Sequence, residues 1–249
     1  MKLEIRSGRL IDPARALDRA ASLFIDAEMI ASVGEAPRDW RPDRVIDAAG
    51  CIVCPGLVDL AARLREPGFE YKATLESELA AAAAGGVTSL SCPPDTDPPL
   101  DEPGLVQMLK HRARSLNQAH VYPVGALTVG LAGTALTEMG ELAEAGCVAF
   151  SQADVPFHDT LTLLRALQYA GTFGHRVWLR PQDHYLALGG VAHDGEVATR
   201  LGLPAIPVAA ETIALAKIFG LVRETRVGVH LCRLSSGAGV AMVRSAKQE

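Results

Sequence analysis

The pattern that most constrains the fold begins at residue 55, where short apolar strands alternate with helices. Six strand–helix units start near residues 55, 87, 119, 147, 176 and 226. Strands that are apolar throughout, each followed by a helix, predict a parallel sheet covered by helices. A closed (β/α)8 barrel has eight such units, so the sequence predicts an α/β barrel that is incomplete by two units.

Helix boundaries in this part of the chain carry the expected capping residues. Thr74 precedes an alanine-rich helix that ends at Gly85, and Asp159 precedes a helix predicted over 160–170. Hydroxyl and carboxylate side chains bind free N–H groups at helix starts, and glycine favours helix ends. Further helices are predicted over 209–224 and 238–247.

The first 54 residues have a different pattern. They form short alternating segments separated by turns, which indicates an all-β unit. The predicted organisation is therefore a small β-sandwich-like domain over 1–54 and a partial (β/α) barrel domain over 55–249. Six units leave two unpaired sheet edges, and such edges favour association. We expect a homo- or hetero-oligomer.

Composition excludes several classes of function. The net charge of −5 and pI near 5.8, with no basic run, argue against binding to nucleic acid or an anionic membrane. No segment reaches the roughly 20 apolar residues of a membrane span, and the N-terminus resembles no signal peptide. A cytoplasmic location follows as the expectation. Cys51 and Cys54 have no second pair to complete a zinc site, so all five cysteines are predicted to be reduced structural thiols, and that pair to be buried.

Residues 59–68, which read Asp-Leu-Ala-Ala-Arg-Leu-Arg-Glu-Pro-Gly, resemble a strand of the dihydroorotases in the cyclic amidohydrolase superfamily. The family strand reads Asp-x-His-x-His-Leu-Arg-Glu-Pro-Gly, and its two histidines hold a catalytic zinc ion. Ala61 and Arg63 stand at those positions here. A methyl group has no lone pair, and a protonated guanidinium repels a dication. The resemblance implies an amidohydrolase-type TIM barrel without these two ligands.

Three further ligand positions of the family are also changed. The family writes Phe-Ser-Asp-Asp-Gly after the fourth strand, where this chain places Gln152 at the ligand position. The family histidines after strands five and six correspond to Arg180 and Arg233. The zinc expected of the family is therefore not expected in this chain, and no other cofactor is implied.

Two positions resemble remnants of a substrate site. Arg65 matches a family arginine that pairs with the substrate carboxylate. Asp95 replaces a family asparagine that contacts substrate, and its charge would repel an anionic substrate. The alternative for Arg65 is a structural ion pair with Glu66 or Asp95.

The remaining candidate groups suggest packing. His230 and Cys232 alternate on one strand, on the face predicted to pack against helices, and His184 and His193 have no ligand spacing. A rebuilt metal site is not expected. Glu211 is predicted to pair with Arg200.

Arg63, Arg180 and Arg233 all follow predicted strands of one sheet, so we expect them to meet in one pocket where the family holds its metal. Close guanidinium groups need intervening acids. The carboxylates best placed by sequence are those of Asp59, Asp95, Asp154 and Asp183. The alternative is that one or more of the arginines point into solvent.

The resemblance thus implies a catalytically inactive dihydroorotase-like protein of pyrimidine biosynthesis, which in such families partners aspartate transcarbamoylase. One alternative is an active hydrolase of cyclic amides with an atypical site. Another is that the chain is a fragment of a longer protein.

Overall fold

The computed structural model describes residues 1–249. The chain divides into two compact units, Met1–Leu57 and Val58–Glu249. No helix combines the length and the apolar character that crossing a bilayer requires.

The first unit is all-β. Its strands are β1 (Lys2–Asp12), β2 (Leu17–Asp26), β3 (Met29–Val33), β4 (Arg44–Asp47) and β5 (Ile52–Val53). β1 pairs antiparallel with β2 and parallel with β4 and β5, while β3 pairs with β2. The strands therefore form one connected sheet, whereas the sequence suggested a sandwich-like arrangement. The long β1 makes one sheet possible, because its first half pairs with β4 and its second half pairs with β5.

The second unit alternates strands and helices. Its strands are β6 (Leu57–Asp59), which begins at the boundary, β7 (Val87–Cys92), β8 (His120–Ala126), β9 (Ala149–Ser151), β10 (Val177–Leu179), β11 (Ala192–His193), β12 (Ala205–Ile206) and β13 (Val229–Leu231). Its helices are α1 (Leu75–Ala84), α2 (Pro103–Leu116), α3 (Met139–Ala145), α4 (Thr160–Thr172), α5 (His184–Ala187), α6 (Glu196–Leu201), α7 (Ala209–Thr225) and α8 (Gly237–Ala246).

Six of these strands form a single sheet in the order β13-β10-β9-β8-β7-β6. The pairs from β7 to β13 are parallel, and the sheet curls into half of an α/β barrel. The predicted incomplete α/β barrel is confirmed. β6 and β13 are its edges, and β11 pairs only with β12.

The core lies between this sheet and its helices. Phe150 on β9, Leu79 on α1 and Leu167 on α4 are each at most 1% exposed. Burying such a side chain stabilises the fold by about 1.5–3 kcal/mol. Gly125 on β8 allows this packing, because a Cβ there would lie 2.9 Å from the Phe150 ring.

The N-terminus of α1 is closed by a reciprocal pair of hydrogen bonds. The Ser77 N–H donates to the Thr74 hydroxyl oxygen, and the Thr74 N–H donates to the Ser77 hydroxyl oxygen. We expect Thr74→Ala to lower the free energy of unfolding by about 1 kcal/mol, because it removes this cap. Urea unfolding measures the change. Thr172→Ala is the control, since Thr172 is exposed at the end of α4 and caps no N–H group. Equal losses in the two variants would contradict the prediction.

Candidate functional site

Charged side chains collect where the strands of the six-stranded sheet end. Arg63 follows β6, Asp95 follows β7, Asp154 follows β9, Arg180 follows β10 and Arg233 follows β13. The carboxyl ends of parallel barrel strands meet at one face, which is where barrel enzymes place their active sites. We call these five residues the arginine cluster.

The Asp154 carboxylate contacts all three arginines of the cluster. Its Oδ2 lies 2.6 Å from Arg63 Nη2 and 2.6 Å from Arg233 Nη1. Its Oδ1 lies 3.6 Å from Arg180 Nη1, beyond hydrogen-bond distance. One carboxylate thus separates three cations that would otherwise repel one another.

Arg63 is the most enclosed of the three arginines. Its side chain is 19% exposed, compared with 33% for Arg180 and 44% for Arg233. Arg63 Nε also donates to Asp95 Oδ2 at 2.6 Å. Burial acts to lower the pKa of Arg63, but Asp95 and then Asp154 outweigh it and raise the pKa. Arg63 therefore stays cationic. Arg63 and Arg180 are half-buried, whereas Arg233 is exposed, so the alternative of a solvent-facing arginine holds in part for Arg233.

The backbone is strained around the cluster. Ala153, which precedes Asp154, has a φ of 51°, and Arg233 has a φ of 56°. Arg65 has a φ of 63°. Residues with side chains adopt this left-handed conformation at a cost of about 1–3 kcal/mol, and seven others do so elsewhere in the chain, so it does not by itself mark the cluster.

Gln152, which occupies a ligand position of the family, makes hydrogen bonds within the protein. Its side chain is buried at 2% exposure. Its Nε2 donates to the Leu131 carbonyl at 2.7 Å, and the Thr128 hydroxyl donates to its Oε1 at 3.0 Å. The amide is therefore already hydrogen-bonded within the protein. Thr128 was missed from sequence, although it also follows a strand of the sheet, β8.

Two of the four carboxylates predicted to separate the arginines do not reach them, so that expectation is wrong for Asp59 and Asp183. Asp59 Oδ1 accepts from the Ala61 N–H at 2.8 Å. Asp183 Oδ1 caps α5 by accepting from the N–H groups of Tyr185 and Leu186. Short acidic side chains bind nearby backbone N–H groups in this way.

The alternative considered for Arg65, an ion pair with Glu66 or Asp95, is absent because both acids bind other groups. Glu66 pairs with Arg112 of α2 and accepts from the Leu75 N–H, while Asp95 binds Arg63. Arg65 is half-buried without an acidic partner. Arg112 was not foreseen, since nothing in its local sequence marks a contact with a residue so distant along the chain.

Glu211 does not pair with Arg200 as predicted. Its Oε1 accepts from the N–H and hydroxyl of Ser236 at 3.1 and 2.5 Å. Its Oε2 accepts from the N–H and hydroxyl of Ser235 at 2.7 and 2.9 Å. Glu211 thereby joins α7 to the segment that begins α8. A buried carboxylate needs several donors, and Arg200 could supply them only by leaving solvent.

The histidines and cysteines form no group of three or more that could hold a metal ion. His230 is exposed and lies 5.2 Å from the Trp178 ring, which corrects the prediction that it packs against helices. It is exposed because β13 is a sheet edge. Cys51 and Cys54 are exposed rather than buried, a second correction. Burial raises the pKa of the Cys92 and Cys147 thiols to about 12.

The residues at the five family ligand positions do not fit a zinc ion. Ala61 offers a methyl group, Gln152 has its amide hydrogen-bonded, and the other three positions carry guanidinium cations. Zinc takes thiolate, imidazole and carboxylate ligands. No group of three or more His, Cys, Asp or Glu side chains converges elsewhere in residues 1–249.

Comparisons with known sequences agree on one family. The dihydro-orotase-like family profile matches residues 50–238. A dihydroorotase-like protein of Pseudomonas aeruginosa is 46% identical over 247 residues, and a dihydroorotase of Syntrophotalea carbinolica is 41% identical over 247 residues. Each alignment covers 99% of this chain and 58% of the relative. The chain thus spans somewhat more than half the length of these relatives.

Solved structures with this fold include an L-hydantoinase from Arthrobacter aurescens, with a TM-score of 0.82 and 21% identity. That alignment covers 99% of this chain and 56% of the hydantoinase. A D-hydantoinase from Thermus sp. gives a TM-score of 0.71 at 19% identity, over 99% of this chain and 55% of the hydantoinase. Such low identities show the fold alone. The family profile and the sequence relatives show that the chain belongs to the dihydroorotase-like family.

Proposed function

We propose that the chain acts as a catalytically inactive dihydroorotase-like protein in pyrimidine biosynthesis, as a structural partner of aspartate transcarbamoylase. The observation that carries the inactivity is the arginine cluster. Three cations meet around Asp154 at the positions where the family resemblance places metal ligands.

The cluster offers no route to a nucleophile. Metal-dependent hydrolysis uses a bound dication to generate hydroxide from water near neutral pH. A guanidinium keeps its proton above pH 12 and has no lone pair to accept another, so Arg63, Arg180 and Arg233 cannot act as bases. The carboxylates of Asp95 and Asp154 accept short hydrogen bonds from arginine, so the oxygens that make these bonds are already engaged within the protein.

A chain that keeps the fold of the family but has other residues at the metal-ligand positions is suited to a structural role. The choice of aspartate transcarbamoylase rests on the family resemblance.

The test of inactivity is to purify the full chain, measure its zinc content and assay dihydroorotate hydrolysis with added zinc. We expect no stoichiometric zinc and no turnover above the buffer rate. One zinc per chain together with turnover would contradict this part of the proposal. That result would favour the alternative, an active cyclic amidohydrolase with an atypical site.

The test of the partnership is to produce the chain together with the aspartate transcarbamoylase of the same cell. We expect the two proteins to elute together from a sizing column, with a mass by light scattering above that of either alone. Separate elution, with aspartate transcarbamoylase assembled normally without the chain, would contradict it.

A further inference from the structure

We propose that the cavity lined by Arg180 and Arg233 binds a small oxyanion, a carboxylate or phosphate group held by these two guanidinium groups. The inference rests on the part of the proposed function that takes this site as metal-free. It does not depend on the partnership with aspartate transcarbamoylase.

The cavity has a size suited to a small ligand. Its volume is about 220 Å³. Arg180 and Arg233 line it together with Ile206 of β12, Val208 and Ser235. The aliphatic side chains supply apolar wall, and the two arginines supply charge.

Both arginines have donors to spare. Arg180 makes no hydrogen bond to a protein acceptor, since its closest carboxylate oxygen, Asp154 Oδ1, lies at 3.6 Å. Arg233 uses only Nη1, which donates to Asp154 Oδ2. A guanidinium carries five N–H donors in a planar fork, which matches two oxygens of a carboxylate or phosphate. The Arg180 side chain is 33% exposed, so its free donors are accessible to a ligand in the cavity.

The charge balance also favours an anion. Three arginines and two aspartates leave the arginine cluster with one excess positive charge. The Glu211 carboxylate also lines the cavity and opposes an anion. Its two oxygens, however, face Ser235 and Ser236, from which they accept four hydrogen bonds. The positive charge that a dication brings in the family is supplied here by guanidinium groups.

The experiment follows the midpoint of thermal unfolding during titration with sodium phosphate in one arm and sodium succinate in the other. Sodium chloride keeps the ionic strength constant during the titration, because a change in salt concentration would by itself alter the interactions of exposed charges. A ligand that binds the folded state raises the midpoint in a saturable way. We expect saturation in at least one arm, and the arm that saturates at lower concentration identifies the class of oxyanion.

Arg180→Met should weaken the apparent affinity at least tenfold, because it removes the fork and the charge while keeping much of the side-chain volume. Arg180→Lys keeps the charge but loses the planar pair of donors, so its apparent affinity should lie between those of the unchanged protein and Arg180→Met. This variant also tests the proposal if Arg180→Met fails to fold. The matched control is Arg223→Met, since Arg223 pairs with Glu249 on the exposed end of α7. The proposal is overturned if neither arm saturates, or if Arg180→Met and Arg223→Met respond like the unchanged protein. Stoichiometric zinc would instead remove its metal-free premise.

Discussion

Replacing Glu211 with alanine is expected to lower the free energy of unfolding of the 58–249 unit by about 3 kcal/mol, since hydrogen bonds to a charged group contribute about 1.5–3 kcal/mol each and water replaces part of what is lost. The carboxylate is 7% exposed and accepts four hydrogen bonds from Ser235 and Ser236. Alanine leaves these donors without an acceptor and detaches the start of α8 from α7.

The measurement is urea unfolding followed by tryptophan fluorescence. The chain has two tryptophans, and Trp40→Phe leaves Trp178 on β10 as the reporter of the second unit. Glu224→Ala is the control, because Glu224 is exposed on the same helix. The free energy of unfolding of Glu211→Gln should lie between those of Glu211→Ala and Glu224→Ala, since its amide keeps one acceptor oxygen. Equal stability of Glu211→Ala and Glu224→Ala would contradict the prediction.

The same contact predicts a dependence on pH. Burial acts to raise the pKa of Glu211, but the hydrogen bonds from Ser236 and Ser235 outweigh it and hold the pKa below its ordinary value. A carboxylate with a lowered pKa stabilises the fold fully above its unfolded pKa, which is about 4.3 for glutamate. This stabilisation is lost as pH falls through the folded pKa. The difference in free energy of unfolding between the unchanged protein and Glu211→Gln should therefore become smaller below about pH 4.

The elements of the half-barrel were predictable from sequence because their signals are local. Thr74 and Asp159 mark helix starts within a few residues, and apolar runs mark the strands. The order of parallel strands then follows from the chain order. β11 and β12 were not foreseen, because two-residue strands carry no periodic signal.

The site was predictable in position but not in its contacts. Strand ends place Arg63, Arg180 and Arg233 at one face, yet which acid meets them depends on the reach of each side chain. Asp59 and Asp183 bind backbone N–H groups within three residues, and this local competition leaves Asp154 to the arginines. Such an outcome depends on turn geometry, which the residue types do not specify alone.

Restoring a family histidine with Arg63→His is expected to lower the free energy of unfolding by about 2 kcal/mol, because charge-assisted hydrogen bonds to Asp95 and Asp154 are lost from a site that is only partly shielded from water. Both bonds measure 2.6 Å, and the Arg63 side chain is 19% exposed. The substitution should not restore zinc binding. Arg180 and Arg233 remain beside Asp154, and their charges oppose a dication.

The matched control is Arg9→His. Arg9 binds Asp18 through two hydrogen bonds of 2.7 Å, but both side chains are more than half exposed. Exposed ion pairs contribute little because water and salt screen them, so Arg9→His should destabilise the protein less than Arg63→His. Urea unfolding compares the variants, and metal analysis after incubation with zinc measures binding. Stoichiometric zinc in Arg63→His would show that Arg63 alone keeps the metal out, and unchanged stability would show that its two hydrogen bonds do not hold the cluster together.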